Sequence, residues 1–294
     1  MLKIEPMTTY GFDIGGSHIS GAQIAWDGVS AKISAFHEGD VDTYRSVEEI
    51  IADWTAVIRQ SVGLRTEIRV GIAMPGPYDY PNGVSLIKDQ GKMKSLYGLS
   101  VKNLLAESLK IDPVRIVFVN DAEAFLLGES LAGAGRGFDN SIGLTLGTGL
   151  GSAFKIGAQV TDAKLWTASF RDGIAEDYLG TGWFKQYASA QFGITISGLK
   201  DLLFGDFDPE IVGKIMTEFG RTLGEFLSPY IVKMNCQGVV IGGKIARAET
   251  HFLPHTHAYL ESVGCPVQIR ISALEEKAAM IGACHPFLAG ITAD

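Results

Sequence analysis

The chain has 294 residues, 46% of them hydrophobic, and a formal net charge of −8, enough apolar material for one large domain or two lobes. The acidic balance argues against a general nucleic-acid or membrane-surface binder, which needs a basic face, but not against local anion binding by backbone N–H groups. Three scattered cysteines, Cys236, Cys265 and Cys284, form no CxxC pair, and no stretch approaches the roughly 20 apolar residues of a membrane span, so a reduced, cytoplasmic protein is expected.

Taken in chain order, residues 10–16 and 18–26 of "YGFDIGGSHISGAQIAW" read as two strands joined at Gly-Gly-Ser, and "AKISAFHEG" reads as a third that completes a meander. In "SVEEIIADWTAVIRQSV" the apolar residues fall at helical spacing, with Ser46 as N-cap and Glu49 three residues on. "IRVGIAMPGP" is a buried strand stopped by Pro75 and Pro77; the turn "DYPNG", the strand "VSLI" and the helix "SVKNLLAESLK" follow. "VRIVFVNDAEAFLLGESLAG" predicts a strand running into a helix, with Asn120 and Asp121 at the junction. "SIGLTLGTGLGSAFKIG" predicts a second glycine-tipped hairpin, and residues 173–234 are expected to be mostly helical with breaks near Gly193 and Asp206. "GVVIGGKIA" and "PVQIRIS" read as strands, and "ALEEKAAMIGACHPFLA" as a final helix. Trp54 and Phe226 lie in helical apolar stripes and are expected in the core.

One internal echo stands out. "FDIGGSHISGAQI" opens the first half and "LTLGTGLGSAFKI" the second, each an apolar strand, a glycine turn, a small hydroxyl residue and another apolar strand. A glycine-rich tip can turn several N–H groups toward one phosphate oxygen, since no Cβ blocks the approach. Gly15, Gly16, Gly147 and Gly149 are the candidates, with Ser17 and Thr148 adding hydroxyls; ordinary tight hairpins have the same composition.

Asp13 favours the phosphate reading. A carboxylate ending an apolar strand is costly unless paired or set on a cation, and beside a phosphate cradle Mg²⁺ is the natural partner; a turn-capping aspartate is the plainer alternative. Asp121, fixed at a strand end, fits a general base that takes a proton from an alcohol attacking phosphorus, while Asn-Asp at a helix start also fits a simple N-cap. Gly242 and Gly243 offer a third glycine turn, either for a flat ligand or merely to end a strand. "HTH" at 255–257 has a spacing that suits a metal but lacks a third ligand of clear geometry.

In order, Asp-x-Gly-Gly, Asn-Asp, Gly-Thr-Gly and Gly-Gly resemble the sugar kinase branch of the actin-like ATPase superfamily, and more closely the ROK family (repressors, open reading frames and sugar kinases), over about residues 10–285. "DIGGSHI" resembles that family's first phosphate motif, "GIAMPGP" its Pro-Gly turn, "VNDAEAFLLGE" its catalytic segment, "LTLGTGLGSAF" its second phosphate motif and "VVIGGKIA" its late nucleotide-side turn. The resemblance implies an α/β fold of two ribonuclease-H-like lobes with a central cleft. The N-terminal lobe would be residues 1–120, completed by the C-terminal helix 275–294; the C-terminal lobe would be 121–274. It implies an ATP-dependent sugar kinase, acting on a hydroxyl of a hexose or hexose derivative, at C6, with Asp121 as base. Gly76, Asn120, Asp121 and Glu176 would bind the sugar. Gly15, Gly16, Ser17, Gly147, Thr148, Gly149, Gly242 and Gly243 would bind ATP, and Asp13 would hold Mg²⁺ directly or through water. A homodimer is also implied.

The chain departs from the family's pattern at three places. Ser17 and His18 stand where the family's first motif usually has Thr-Lys. The stretch after Gly157 has neither cysteine nor histidine through Phe184, so the family's zinc site is not expected, and Arg171 and Asp172 are candidates to replace lost contacts. Lys92 falls near the position of the family's sugar-binding asparagine. The alternative from another class is a non-catalytic sugar-binding regulator or sensor of the same family, acting through a protein partner. The first motif begins about ten residues in, so the helix-turn-helix of the family's repressors is not expected.

Overall fold

The structure is a computed structural model that describes residues 8–88 and 92–288. Residues 1–7, 89–91 and 289–294, and with them the expected end of the final helix, lie outside these. The chain divides into two compact units, Met1–Gly133 with Glu276–Asp294, and Ala134–Glu275.

The first unit starts with strands β1 (Thr8–Ile14), β2 (His18–Trp26) and β3 (Ala31–Asp40), then helix α1 (Val47–Val62) and strand β4 (Ile68–Met74). A small hairpin of β5 (Tyr78–Asp79) and β6 (Val84–Ser85) leads to α2 (Val101–Leu109), β7 (Ile116–Asn120) and α3 (Asp121–Ala132). The sheet order is β3-β2-β1-β4-β7; the meander is antiparallel, and β1, β4 and β7 run parallel. The interior strand β4, "IRVGIAM", is a near-continuous apolar run, as a strand covered on both faces requires. Edge strand β3 alternates and carries Lys32, Glu38 and Asp40, charges that discourage pairing with another chain.

The expected capping box starts α1: the Glu49 N–H donates to Ser46 Oγ at 3.3 Å and the Ser46 N–H to Glu49 Oε2 at 3.1 Å. Its inner face buries Ile50, Trp54, Ile58 and Val62 completely, each aliphatic member worth ~1.5–3 kcal/mol of burial.

The second unit repeats the plan with β8 (Asn140–Leu146), β9 (Leu150–Ile156), β10 (Gln159–Asp162), a small hairpin of β11 (Ser169–Phe170) and β12 (Gly173–Ile174), and helices α4 (Ala175–Leu179), α5 (Thr181–Phe192), α6 (Leu199–Phe204) and α7 (Pro209–Met234). Strand β13 (Gly238–Gly242), helix α8 (Glu249–Ser262) and strand β14 (Gln268–Ile271) complete it. Its sheet order is β10-β9-β8-β13-β14, again antiparallel on one side and parallel on the other. The internal echo thus falls on topologically equivalent hairpins, β1–β2 and β8–β9. The core joins Ile142, Leu144, Phe184, Phe219, Phe226 and Val239. Helix α8 and strands β10, β11 and β12 add to the elements expected from the sequence.

The chain then returns to the first unit as α9 (Lys277–Ala283) and α10 (His285–Leu288); the single helix expected here starts later and is interrupted at Cys284. Helix α9 packs on β1, β4 and α3. Helix α3, assigned from sequence to the second lobe, therefore lies in the first unit, whose division from the second falls after Gly133. The approach of α9 to α3 requires a glycine: a Cβ on Gly282 would overlap the Ala124 carbonyl. Among the described residues no helix is long and apolar enough to cross a membrane.

Candidate functional site

In the first unit, the strand register puts the carboxyl ends of β1, β4 and β7 level: Asp13 pairs with Ala73, and Met74 with Asn120. This end of a parallel sheet is where α/β folds place ligands. Asp13 is half-buried there. Loss of hydration raises its pKa to about 7, helped by the charges of Asp121 and Glu276 and opposed by His18.

The glycine turn follows at once. The Gly15 N–H closes it by donating to His18 O at 2.8 Å, while the N–H groups of Gly16 and Ser17 have no partner among the described residues. The Gly16 carbonyl accepts from Thr43 Oγ1 at 2.5 Å. His18 is exposed, with Glu38 Oε2 3.6 Å from its Nε2 and Asp40 Oδ1 3.4 Å from its Nδ1. Lys92 lies across the turn, its Nζ 3.0 Å from the point where a Gly16 Cβ would stand.

At the β7–α3 junction the structure separates two roles that the sequence left together. Asn120 is the N-cap: its Oδ1 accepts from Ala122 N at 3.0 Å and Glu123 N at 3.1 Å. Its Nδ2 donates to Tyr80 Oη at 3.0 Å, and that hydroxyl donates to Met74 O at 3.1 Å. The other Nδ2 hydrogen of Asn120 has no partner among the described residues. Asp121 is the first helical residue, partly exposed, with its Oδ1 accepting from Ala122 N at 2.9 Å. Gly76 lies beside the same tyrosine; a Cβ there would stand 3.1 Å from Tyr80 Oη.

The second unit holds its own turn. The Gly147 N–H donates to Gly149 O at 3.1 Å, and the N–H groups of Thr148 and Gly149 are left without partners among the described residues. The two hairpins therefore match in hydrogen bonding as well as topology: the first glycine closes the turn, and the next two N–H groups have no partner among the described residues. The second turn is braced from behind. Gly147 O accepts from both the N–H and the Oγ1 of Thr181, each at 2.8 Å. Glu176 Oε2 accepts from Leu150 N at 2.9 Å and fills the space beside Gly149. Gly242 pairs with Thr145 at the end of β13, and Gly243, at φ 88°, passes so close to Leu146 that a Cβ would collide with its carbonyl.

Other sequence candidates have structural duties. Arg171 donates to Glu225 at 2.6 Å and lies over the rings of Phe170 and Tyr178, while Asp172 accepts from the Tyr178 hydroxyl. His255 bonds Thr217 Oγ1 at 3.1 Å on α8. Trp54 and Phe226 are core residues, as expected. Sequence reasoning missed Glu276, Thr181, Thr43 and Tyr80. Thr181 sits in "GTG", the same tripeptide as the second turn, which was the one available signal; the others act across large sequence separations.

Among the described residues no group of three or more His, Cys, Asp or Glu side chains is placed to hold a metal alone. Asp13 fits a Mg²⁺ shared with phosphate: its oxygens are hard donors, and the lost hydration and neighbouring charges that raise its pKa are what a divalent cation would offset.

The sequence profile of the ROK family matches residues 9–164. The glucokinase of Thermotoga maritima is 33% identical over 171 residues, 57% of this chain and 48% of that protein, so the match spans about half the length of that relative. The N-acetylgalactosamine kinase of a Shewanella species is 23% identical over 278 residues, 82% of each chain. A ROK family glucokinase from Streptomyces griseus, solved with glucose and AMPPNP, superposes with a TM-score of 0.73 at 21% identity, over 94% of this chain and 97% of that one. The two-unit α/β architecture is that of the actin-like ATPase fold of these kinases.

Proposed function

We propose that this chain, which belongs to the ROK family, is an ATP-dependent sugar kinase that phosphorylates a hexose or hexose derivative at its C6 hydroxyl. The observation that carries the reading is the separation of duties at the β7–α3 junction. Asn120 caps the helix, so the neighbouring Asp121 is not required as cap and lies within electrostatic reach of Asp13 beside the first glycine turn.

In this reading the sugar hydroxyl oxygen bonds to the γ-phosphorus as the bond from phosphorus to the β–γ bridging oxygen breaks. The bond's electron pair stays with ADP, and the hydroxyl proton passes to Asp121. The N–H groups of Gly16 and Ser17 stabilise charge on the transferred phosphoryl oxygens, and those of Thr148 and Gly149 hold the nucleotide's phosphates. Asp13 would hold Mg²⁺, directly or through water, and the ion would supply charge neutralisation on the phosphates. Asn120 offers its remaining amide hydrogen to the sugar, with Gly76 leaving space at the Tyr80 hydroxyl. Glu176 is assigned to the sugar as well, its second oxygen being the one to reach it. Gly242 and Gly243 lie on the nucleotide side. A homodimer belongs to the same reading and is checked by light scattering.

The test is ADP release from Mg·ATP across a panel of hexoses and N-acetyl hexosamines. Sugar-dependent release is expected, and Asp121→Asn is expected to abolish transfer while keeping nucleotide affinity. A variant that retains a substantial fraction of kcat removes Asp121 from the base role. No release with any sugar, together with sugar or nucleotide binding, replaces the kinase by a sensor.

A further inference from the structure

We infer that Lys92 is a catalytic residue of the phosphoryl transfer, its ammonium meeting the γ-phosphoryl oxygens at the first glycine turn; the inference rests on the kinase reading above. The side chain is exposed but lies against the turn. Its stem lies along the face of Gly16, with Cε 3.2 Å and Nζ 3.0 Å from the position of a Gly16 Cβ and Cδ closer still. Glycine at 16 is thus what allows a lysine from a distant loop, 76 positions on, to lie against the turn.

The placement is built in. Met93, next in sequence, is buried and left-handed at φ 58°, and its N–H donates to Thr43 O at 2.8 Å. Buried Thr43 in turn donates its hydroxyl to Gly16 O at 2.5 Å. One threonine therefore ties both the turn and the backbone beside Lys92 to the same residue.

The charge is also available. Among the described residues Lys92 has no ion pair or hydrogen-bond partner, whereas the turn's own basic residue, His18, is matched with Glu38 and Asp40. The nearby carboxyl groups Asp13, Asp121 and Glu276 make this end of the sheet acidic. A triphosphate arriving there meets repulsion that two N–H groups offset only in part, and a fixed cation supplies the remainder. In this role Lys92 acts through its charge and exchanges no proton with the substrate.

The experiment has two arms. In the first, kcat and KM for ATP and for the sugar are measured for wild type, Lys92→Met and Lys92→Arg. Lys92→Met is expected to lose about 100-fold in kcat, the scale of losing one transition-state charge contact. Its KM for the sugar should stay put, and Lys92→Arg should recover most of the loss. Unchanged kcat in Lys92→Met overturns the inference, and so does a rise in sugar KM with kcat retained, which would make Lys92 a sugar contact. An inactive wild type overturns the kinase reading instead, so the two failures are distinguishable.

The second arm needs no variant. Acetylation of Lys92 in the wild-type protein by acetic anhydride is followed by peptide mass spectrometry. Protection of several fold by Mg·ATP, and none by sugar alone, is expected. Equal labelling with and without Mg·ATP overturns the inference, even if Lys92→Met fails to fold.

Discussion

Asp13 and Asp121 stand at the ends of parallel strands β1 and β7, near enough that the negative charge of Asp121 raises the proton affinity of Asp13. Each belongs to a different motif 108 positions apart in the chain, and the register of β4 between them levels the two.

The electrostatics predict a pH-dependent cost. Burial first, then Asp121 and Glu276, raise the Asp13 pKa from 3.8 to about 7, so between those values the native state holds a proton that the unfolded chain gives up. Stability in metal-free buffer therefore falls as pH rises from 4 to 7, the reverse of an ordinary paired carboxylate. Asp13→Asn removes that slope and stabilises the protein at pH 8 by ~1–3 kcal/mol, with partial exposure reducing the full effect. Urea unfolding in EDTA at pH 4.5 and pH 8 checks it; a variant no more stable than wild type at pH 8 contradicts it.

Asn120→Ala removes two cap acceptances and the bond to Tyr80. The expected loss is ~2 kcal/mol or more, the upper end for a helix cap. Asn120→Asp keeps the acceptor and should recover the cap contribution. Equal stability of the two variants in denaturant melts would separate the cap from the loss.

The brace behind the second turn can be divided. Thr181→Val keeps the N–H bond to Gly147 O and loses the hydroxyl one, a cost of about 1 kcal/mol with weaker nucleotide binding. Glu176→Ala frees the Leu150 N–H and should raise the nucleotide Kd, whereas Glu176→Gln keeps an acceptor and should not. Isothermal titration with AMPPNP decides; if Glu176→Ala leaves that Kd unchanged and raises only the KM for the sugar, the brace is idle.

Gly282→Ala places a Cβ on the Ala124 carbonyl where α9 meets α3. Neither partner is a flexible side-chain end, so the helices must separate, and a loss of ~1–3 kcal/mol or more is expected. A thermal melt matching wild type would show that the helices part at no cost.

The two hairpins, the capping box at Ser46 and the strand-to-helix junction at Asn120 were legible because their signals are local: glycine punctuation, a three-residue cap spacing, an apolar run. Helix α8 was not, because Pro254 interrupts its helical pattern and "HTH" offers only a metal spacing without a third ligand, although the fold keeps both inside the helix. A boundary after residue 120 follows the local motif, whereas α3 is held by α9, which starts 145 positions beyond its end. Glu276 and Thr43 reach the candidate site by long-range packing alone, which no local pattern encodes. Lys92 is legible as a departure from the family's pattern, whereas its contact with Gly16 follows from the fold alone.

The return of α9 to the first unit also sets an order of birth. During synthesis the ribosome finishes the whole of Ala134–Glu275, an uninterrupted stretch, before it makes the helix that covers β1 and β4. The segment bearing Asp13 and Asp121 is translated first, yet its sheet gains its last layer after the younger half is complete. A nascent chain halted before residue 277 therefore carries both glycine turns while the floor beneath the first of them is still missing.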